Sequence, residues 1–267
     1  MTLTFFLALW KDYTQLAPQA EVIHQLFAEQ NDKVVNDHVA FRTFANSPIS
    51  LDKLEPVLLA MDYQVQEQYR FEAKKLRARS YIHSNPEVPK IFLSELLTQE
   101  LSDKSQAILA KYTQQIDAPH LSPEVFWSGR HWSMPTWQDY SDLLQESEYA
   151  AWLCAIGLRA NHFTISINHL SKQHDVQSVL TEVKKAGFAV NTTGGEIKGS
   201  PNVYLEQGST MADKQLFTFG DGSEHEIPTC FYEFALRYRQ SNGQYFQGFV
   251  EGNADKIFDS TNVAVGM

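Results

Sequence analysis

Apolar positions along this chain recur at two spacings, and the order in which the spacings alternate repeats once. From residue 1 to about 30 the spacing is helical, with Pro18 as punctuation and Ile23, Leu26 and Phe27 as a short apolar stripe. NDHVAFRTF (36–44) then alternates as a strand does. Leu51, Leu54, Leu58 and Met61 return to helical spacing behind Ser50, which suits an N-cap, while Pro56 inside the stripe predicts a late start or a kink. YQVQEQYRF, LRARSYIH and KIFLSEL follow as strands. The same series begins again at ANHFTISIN (160–168). Val176, Val179, Leu180 and Val183 form its helical stripe, Asp175 suits the cap, and Gly187 suits the left-handed position that ends a helix. VYLEQGS, KQLFTF and TCFYEFALRYR read as the remaining strands, with the turn phrase Gly220–Gly222 before the last.

Each copy is therefore β-α-β-β-β, and the fold class is α+β. Two such modules side by side enclose a cleft lined by one face of each sheet. The boundaries fall at 1–30 for N-terminal helices, 31–97 for the first module, 98–157 for a helical insert, and 158–267 for the second module with its tail. In the insert, LTQELSDKSQAILAKY reads as helix and Pro119 to Pro123 as loop. TWQDYSDLLQESEYAAWLCAIG reads as one further helix capped by Thr136.

Composition narrows the function classes. The chain has 267 residues, 43% of them apolar, which is ample for a core. Its net charge is −10 and its basic residues are scattered, which argues against nucleic acid as a partner. TLTFFLALW near the start is too short to span a bilayer and lacks the basic flank of a signal peptide. Cys154 and Cys230 lie in apolar runs, as buried thiols of a reducing compartment do. A cytoplasmic protein without a membrane partner is expected. No Gly-rich phosphate loop, G-x-S-x-G or Cys-x-x-Cys is present.

Candidate chemistry follows from strand phase. In ANHFTISINH the apolar row Phe163, Ile165, Ile167 must pack on the helix, so His162, Thr164, Ser166 and Asn168 face the cleft. In NDHVAFRTF the cleft row is His38, Ala40 and Arg42; in the last strand it includes Glu233. His38 and His162 open their copies at matched places, and Glu95 and Glu233 match roughly near the ends. Two imidazoles and one carboxylate can hold a metal on one face and leave three positions open. Arg42, on the face of His38, has a planar fork suited to a substrate carboxylate, or it is a rim arginine paired with a structural acid. Glu95 is a fourth ligand, an acid supporting a ligand, or a structural acid. Arg77, Arg79 and Tyr81 share one face whose phase the sequence leaves open. Glu224-His225-Glu226 reads as an exposed hairpin, and His83, His120 and His131 as non-ligands.

These phrases resemble a known family. NDHVAFRTF with its H-x-x-x-R, KIFLSEL, SPNVYLEQGSTMAD and FYEFALR are similar to segments of the 2-oxoadipate dioxygenase/decarboxylase family, of vicinal oxygen chelate type, across most of residues 31 to 240. The resemblance implies Fe(II) held by His38, His162 and Glu233, with Arg42 on a substrate carboxylate. It implies conversion of 2-oxoadipate and O2 to 2-hydroxyglutarate and CO2, a step of lysine breakdown. The best-known bacterial members are longer at the C-terminal end, in a region that contributes to the substrate pocket. Two other readings stand beside this one. A glyoxalase-like lyase or isomerase would recruit Glu95 as a ligand, and a non-enzymatic module would bind a small molecule with structural histidines.

Overall fold

The computed structural model describes residues 2–31, 33–117 and 121–262. Residues 2–30 form α1 (Thr2–Leu16) and α2 (Pro18–Gln30), divided at Ala17 with Pro18 at the first position of the second helix, where its missing N–H costs nothing. The first module runs β1 (Asn36–Phe44), α3 (Leu51–Leu59), β2 (Tyr63–Phe71), β3 (Leu76–His83) and β4 (Lys90–Leu96). The insert contributes α4 (Asp103–Thr113), α5 (Trp137–Glu146) and α6 (Glu148–Ile156). The second module runs β5 (Ala160–Ser166), α7 (Val176–Lys185), β6 (Lys198–Ser200), β7 (Leu205–Ser209), β8 (Lys214–Thr218), β9 (Glu224–Pro228) and β10 (Phe231–Arg237), and α8 (Glu251–Ile257) follows.

Eight strands make one sheet in the order β2-β3-β4-β1-β5-β10-β7-β6. β1 pairs parallel with β4 and β5 parallel with β10, while β1 and β5 meet antiparallel at the junction of the two modules. This is the paired-module arrangement that the repeat predicts. The second module departs from the expected strand list. KQLFTF does not enter the main sheet: β8 pairs with β9 in a separate hairpin, turned by Gly220–Gly222, and the short β6 takes the edge place instead. The pattern of β8 explains this. Lys214 and Thr218 are exposed and Leu216 is exposed too, so the strand has no buried face to offer. The hairpin carries Glu224 and Glu226 outward while His225 stacks on Trp137 at 3.6 Å between ring centres.

The two faces of the sheet are covered differently. The row expected to pack on helices does so: Phe41 meets Phe126, Phe163 meets Tyr13 of α1, and Phe234 meets Phe27 of α2. The opposite, concave face is not left open. α6 covers part of it through Tyr149 and Trp152, and residues 249–261 cover the adjoining part, the two meeting at Arg42. Every residue of β5 and β10 is consequently buried, polar rows included. Among the described residues no helix is long and apolar enough to cross a membrane.

Local signals mostly act where expected. Asp175 and Thr136 cap α7 and α5 by accepting from Ser178 and Asp139. Pro56 lies within α3 without ending it, and Ser50 holds the cap position without making the cap hydrogen bond. The single helix expected over 136–157 is two. Ser147 is extended (φ −149°, ψ 106°), closes α5 and caps α6 by accepting from Ala150. The break falls in the polar run QESE (145–148), which a solvent-facing turn of a continuous helix could equally carry, so periodicity alone does not reveal it.

Gly157 ends α6 and turns the chain into β5. Its φ is +84°, and a Cβ there would lie 2.3–2.4 Å from backbone atoms of Gly129 and Arg130. Gly157→Ala is expected to cost about 2 kcal/mol or more, from strain and overlap with backbone that cannot give way. Thermal unfolding should register this as a fall in Tm of roughly 5 °C or more; an unchanged Tm would mean that the turn into β5 has slack.

Candidate metal centre

Three neighbouring strands at the centre of the sheet bring three ligand-capable side chains to one place. At the antiparallel junction His38 lies opposite Thr164 and Ala40 opposite His162. In the parallel pair, Phe231 lies beside His162 and Glu233 beside Thr164. All three side chains project onto the concave face, as strand phase predicts. His162 Nε2 is 3.2 Å from Glu233 Oε2, and His38 Nε2 is 3.6 Å from Glu233 Oε1. One ligand atom from each residue lies within 4.8 Å of the others. The three are 2%, 4% and 1% exposed, in the order His38, His162, Glu233, so bulk water does not compete for them.

Each ligand atom is aimed by a neighbour. His38 Nδ1 donates to Asp37 Oδ2 (2.8 Å), and His162 Nδ1 donates to Asn161 Oδ1 (3.1 Å), which turns both Nε2 atoms toward Glu233. Gln207 on β7 donates to Glu233 Oε1 (2.7 Å) and in turn accepts from Asn253 of α8 (3.1 Å). Thr164 Oγ1 is 3.1 Å from His38 Nε2.

The electrostatics suit a cation. Burial alone would raise the Glu233 carboxyl, but His38, His162 and Gln207 beside it outweigh that and hold it below the usual carboxylate range. Burial holds His162 below the usual imidazole range, against the opposing pull of Glu233. An ionised carboxylate and a neutral imidazole are the forms that bind metal. Asp37 behaves like Glu233: burial opposes its ionisation, and Arg237, Lys90 and His38 bring it well below the usual range.

The space at these atoms is small. The cavity measures about 20 Å³, room for roughly one water molecule. Phe92 and Gln207 line its sides, and Phe249, Ala254, Ile257 and Phe258 form its roof. Sequence reading missed the roof because residues 238–262 show no sustained periodicity. It also missed Asp37 and Asn161, although a readable signal existed: each histidine directly follows an acceptor side chain, in NDH and ANH.

Two acids that were matched by sequence part company here. Register places Glu233 beside Thr164, two residues on from His162. The residue beside Ala40, two on from His38, is Phe92. Phe92, not Glu95, therefore occupies the corner equivalent to Glu233. Glu95 projects from the other face of β4, where it accepts from Leu51 N (2.8 Å) at the start of α3 and pairs with Arg77. It touches neither histidine, so it is neither a ligand nor a ligand's support. It provides the cap that Ser50 does not. Arg77, Arg79 and Tyr81 lie on that same helix-covered face, paired with Asp52 and Glu55 rather than lining the cleft.

Arg42 is on the concave face but outside the cavity lining. It is 1% exposed, donates to Glu148 Oε1 (2.8 Å) and Thr261 Oγ1 (2.9 Å), and sits among Tyr149, Trp152 and Phe258. Its Nε has no hydrogen-bond partner. His83 accepts from Asn85 N and His131 meets Ser128, both away from the centre; His120 lies outside the described residues.

The sequence matches the 2-oxoadipate dioxygenase/decarboxylase family over residues 5–126 and 122–240. A 2-oxoadipate dioxygenase/decarboxylase of Oryza sativa subsp. japonica, chloroplastic/amyloplastic by name, is 36% identical over 94% of this chain and 76% of its own length. The crystal structure of hydroxyglutarate synthase in complex with 2-oxoadipate from Oryza sativa superposes with a TM-score of 0.92 at 35% identity, covering 98% of this chain and 92% of that one. A crystallised protein of Shewanella frigidimarina, provisionally named a hydrolase, superposes at 0.88 with 44% identity, covering 94% and 98%.

The placement of Glu95 has a direct consequence. Glu95→Ala strips the first turn of α3 of its acceptor and Arg77 of one carboxylate, and should cost roughly 2–4 kcal/mol of stability. Bound metal per folded protein should stay at the wild-type level. Loss of metal at unchanged stability in urea titration would contradict the assignment.

Proposed function

The chain belongs to the 2-oxoadipate dioxygenase/decarboxylase family, and on that premise we propose that it holds Fe(II) on His38, His162 and Glu233 and converts 2-oxoadipate with O2 to 2-hydroxyglutarate and CO2. The observation that carries the reading is the set of three buried, convergent ligand atoms with a phenylalanine at the fourth equivalent corner. Three protein ligands leave an octahedral ion three adjacent positions, enough for a bidentate 2-oxo acid and O2. Fe(II) bound there would supply chelation of the substrate's carboxylate and keto oxygens and the electrons that activate O2. The lyase reading needs a fourth ligand, and Glu95 on the opposite face of the sheet is not available for it. The proposed setting is lysine breakdown in the cytoplasm. Two buried free thiols agree with a reducing compartment, and the rice relative's name places that protein in plastids.

The protein's own groups have distinct tasks in this reading. Asp37 and Asn161 hold the imidazoles in one tautomer, and Gln207 fixes the carboxylate. Phe92, Phe249 and Phe258 keep water away from the ion, which limits wasteful side reactions. Arg42 receives the carboxylate at the far end of the substrate, exchanging Glu148 or Thr261 for it or using its free Nε. A 2-oxo dicarboxylate exceeds the present cavity, so residues 249–261 withdraw to admit it and return over it.

Iron-loaded protein supplied with 2-oxoadipate should consume O2 and release CO2 in equal amounts, without an added 2-oxoglutarate cosubstrate. Chelation should stop it, and Fe(II) but not Zn(II) should restore it. His162→Ala should lose both iron and activity while remaining folded. Turnover of a 2-oxo acid or of a glutathione adduct under strict anaerobiosis would replace this reading with the lyase.

Substitution of Arg42 separates its two possible duties. Arg42→Lys keeps the charge and loses the fork, whereas Arg42→Met loses both. Catalytic efficiency should fall roughly tenfold to hundredfold for Met, and less for Lys, with bound iron unchanged. Wild-type kinetics in folded Arg42→Met would leave the arginine only a partner for Glu148.

A further inference from the structure

The two histidines hold equivalent places in the two modules, yet the groups behind them differ in charge. Asn161 Oδ1 and Asp37 Oδ2 perform the same geometric task, each accepting a hydrogen bond from Nδ1, at 3.1 and 2.8 Å. The amide is otherwise poorly supported: Asn161 Nδ2 is buried without a hydrogen-bond partner. The carboxylate, in contrast, is clamped. Arg237 Nε donates to Asp37 Oδ1 at 2.7 Å and its Nη2 to Oδ2 at 2.8 Å, a two-pronged pair with both side chains 4% exposed.

Arg237 reaches further. Its Nη1 donates to the carbonyls of Phe246 (3.1 Å) and Gly248 (2.8 Å), and its guanidinium lies 5.3 Å from the ring centre of Phe249. That ring meets His38 edge-on at 4.8 Å. One arginine thus fixes the carboxylate behind His38 and the start of the cavity roof beside it. Stability alone is a weak reason for such a pair, because desolvating two charges largely cancels their attraction. Aiming the ring is also insufficient as a reason, since a neutral asparagine aims the ring of His162. What the carboxylate adds is charge: an acceptor of full negative charge on Nδ1–H makes Nε2 a stronger donor.

We propose that Asp37, held by Arg237, is a positioning residue that makes His38 the more strongly donating of the two imidazole ligands, so that the ion meets an unequal nitrogen pair. This rests on the reading of His38 and His162 as metal ligands. An ion held here would meet two imidazoles of different donor strength, which would make its remaining positions unlike one another. The inequality thereby offers the site a way to sort a chelating 2-oxo acid from O2.

Co(II) tests this without turnover, through its affinity in chelator competition and its visible absorption. The informative variants are Asp37→Asn/Arg237→Met, which removes the carboxylate without stranding the arginine, and Asn161→Ala, which removes the neutral acceptor. The double variant should bind Co(II) about 10–100-fold more weakly. At saturation it should still hold one ion per chain, with shifted absorption bands. Asn161→Ala should lose less affinity and keep the wild-type bands. If the double variant is recovered unfolded, Asp37→Asn alone is read by the same criteria. Wild-type affinity and spectrum in the folded Asp37 variant, or an equal loss in Asn161→Ala, would overturn the proposal. Failure of the wild-type protein to bind Co(II) at all would instead sink the metal reading beneath it.

Discussion

The antiparallel pairing of β1 with β5 is the constraint on which the rest of the molecule depends. It joins the two modules into one sheet and sets His38 and His162 two positions apart across the junction. β10, in parallel register with β5, then delivers Glu233 to the same spot. Strand side chains alternate between faces, so a slip of one residue at the junction would send a histidine to the helix-covered side. The apolar rows Val39–Phe41 and Phe163–Ile165 oppose such a slip, because it would push them into the polar cleft. Hydrophobic register and ligand placement are thus one constraint seen from two faces.

The concave face presents a second problem, since a row of polar side chains there must be buried without being orphaned. α6 and residues 249–261 solve it by supplying partners as well as cover. Tyr149 meets Ser94 and Thr43, Glu148 and Thr261 meet Arg42, and Asn253 meets Gln207. The cover is therefore tied to the sheet by hydrogen bonds as well as by aromatic packing, as of Phe249 on Phe92 and Phe258 on Phe71. Hydrogen bonds of that kind are exchanged at small net cost when another donor or acceptor arrives, which fits the movement of the roof proposed above.

Much of this was legible in the sequence, and the misses have physical causes. The duplication, the strand phases and the convergence of His38, His162 and Glu233 follow from period-two patterning, which burial on one face enforces. Only the match of Glu95 to Glu233 failed, because KIFLSEL and FYEFALR look alike when aligned by their glutamates, whereas parallel register gives Phe92 the place equivalent to Glu233. Face assignment in a strand needs the neighbour, not only the alternation. β8 was misplaced because a solvent-facing hairpin and an edge strand share composition. Ser147 hid its break inside a short polar run that a solvent-facing helical turn would share. The roof was illegible because its residues are chosen for what they touch across space.

The sheet order carries a consequence for how the chain comes to be folded. β6 and β7 attach to the rest of the sheet only through β10, and β10 is the last strand to be made. Until residues 231–237 emerge from the ribosome, one whole edge of β5 lies unpaired in the middle of what will become the sheet. Such an edge is a template for any other extended chain, and pairings this distant in sequence form slowly. A product cut short anywhere before β10 would do more than lack Glu233. It would hold open a sticky, buried-type strand, so shortened chains of this protein should be prone to aggregate rather than merely inactive.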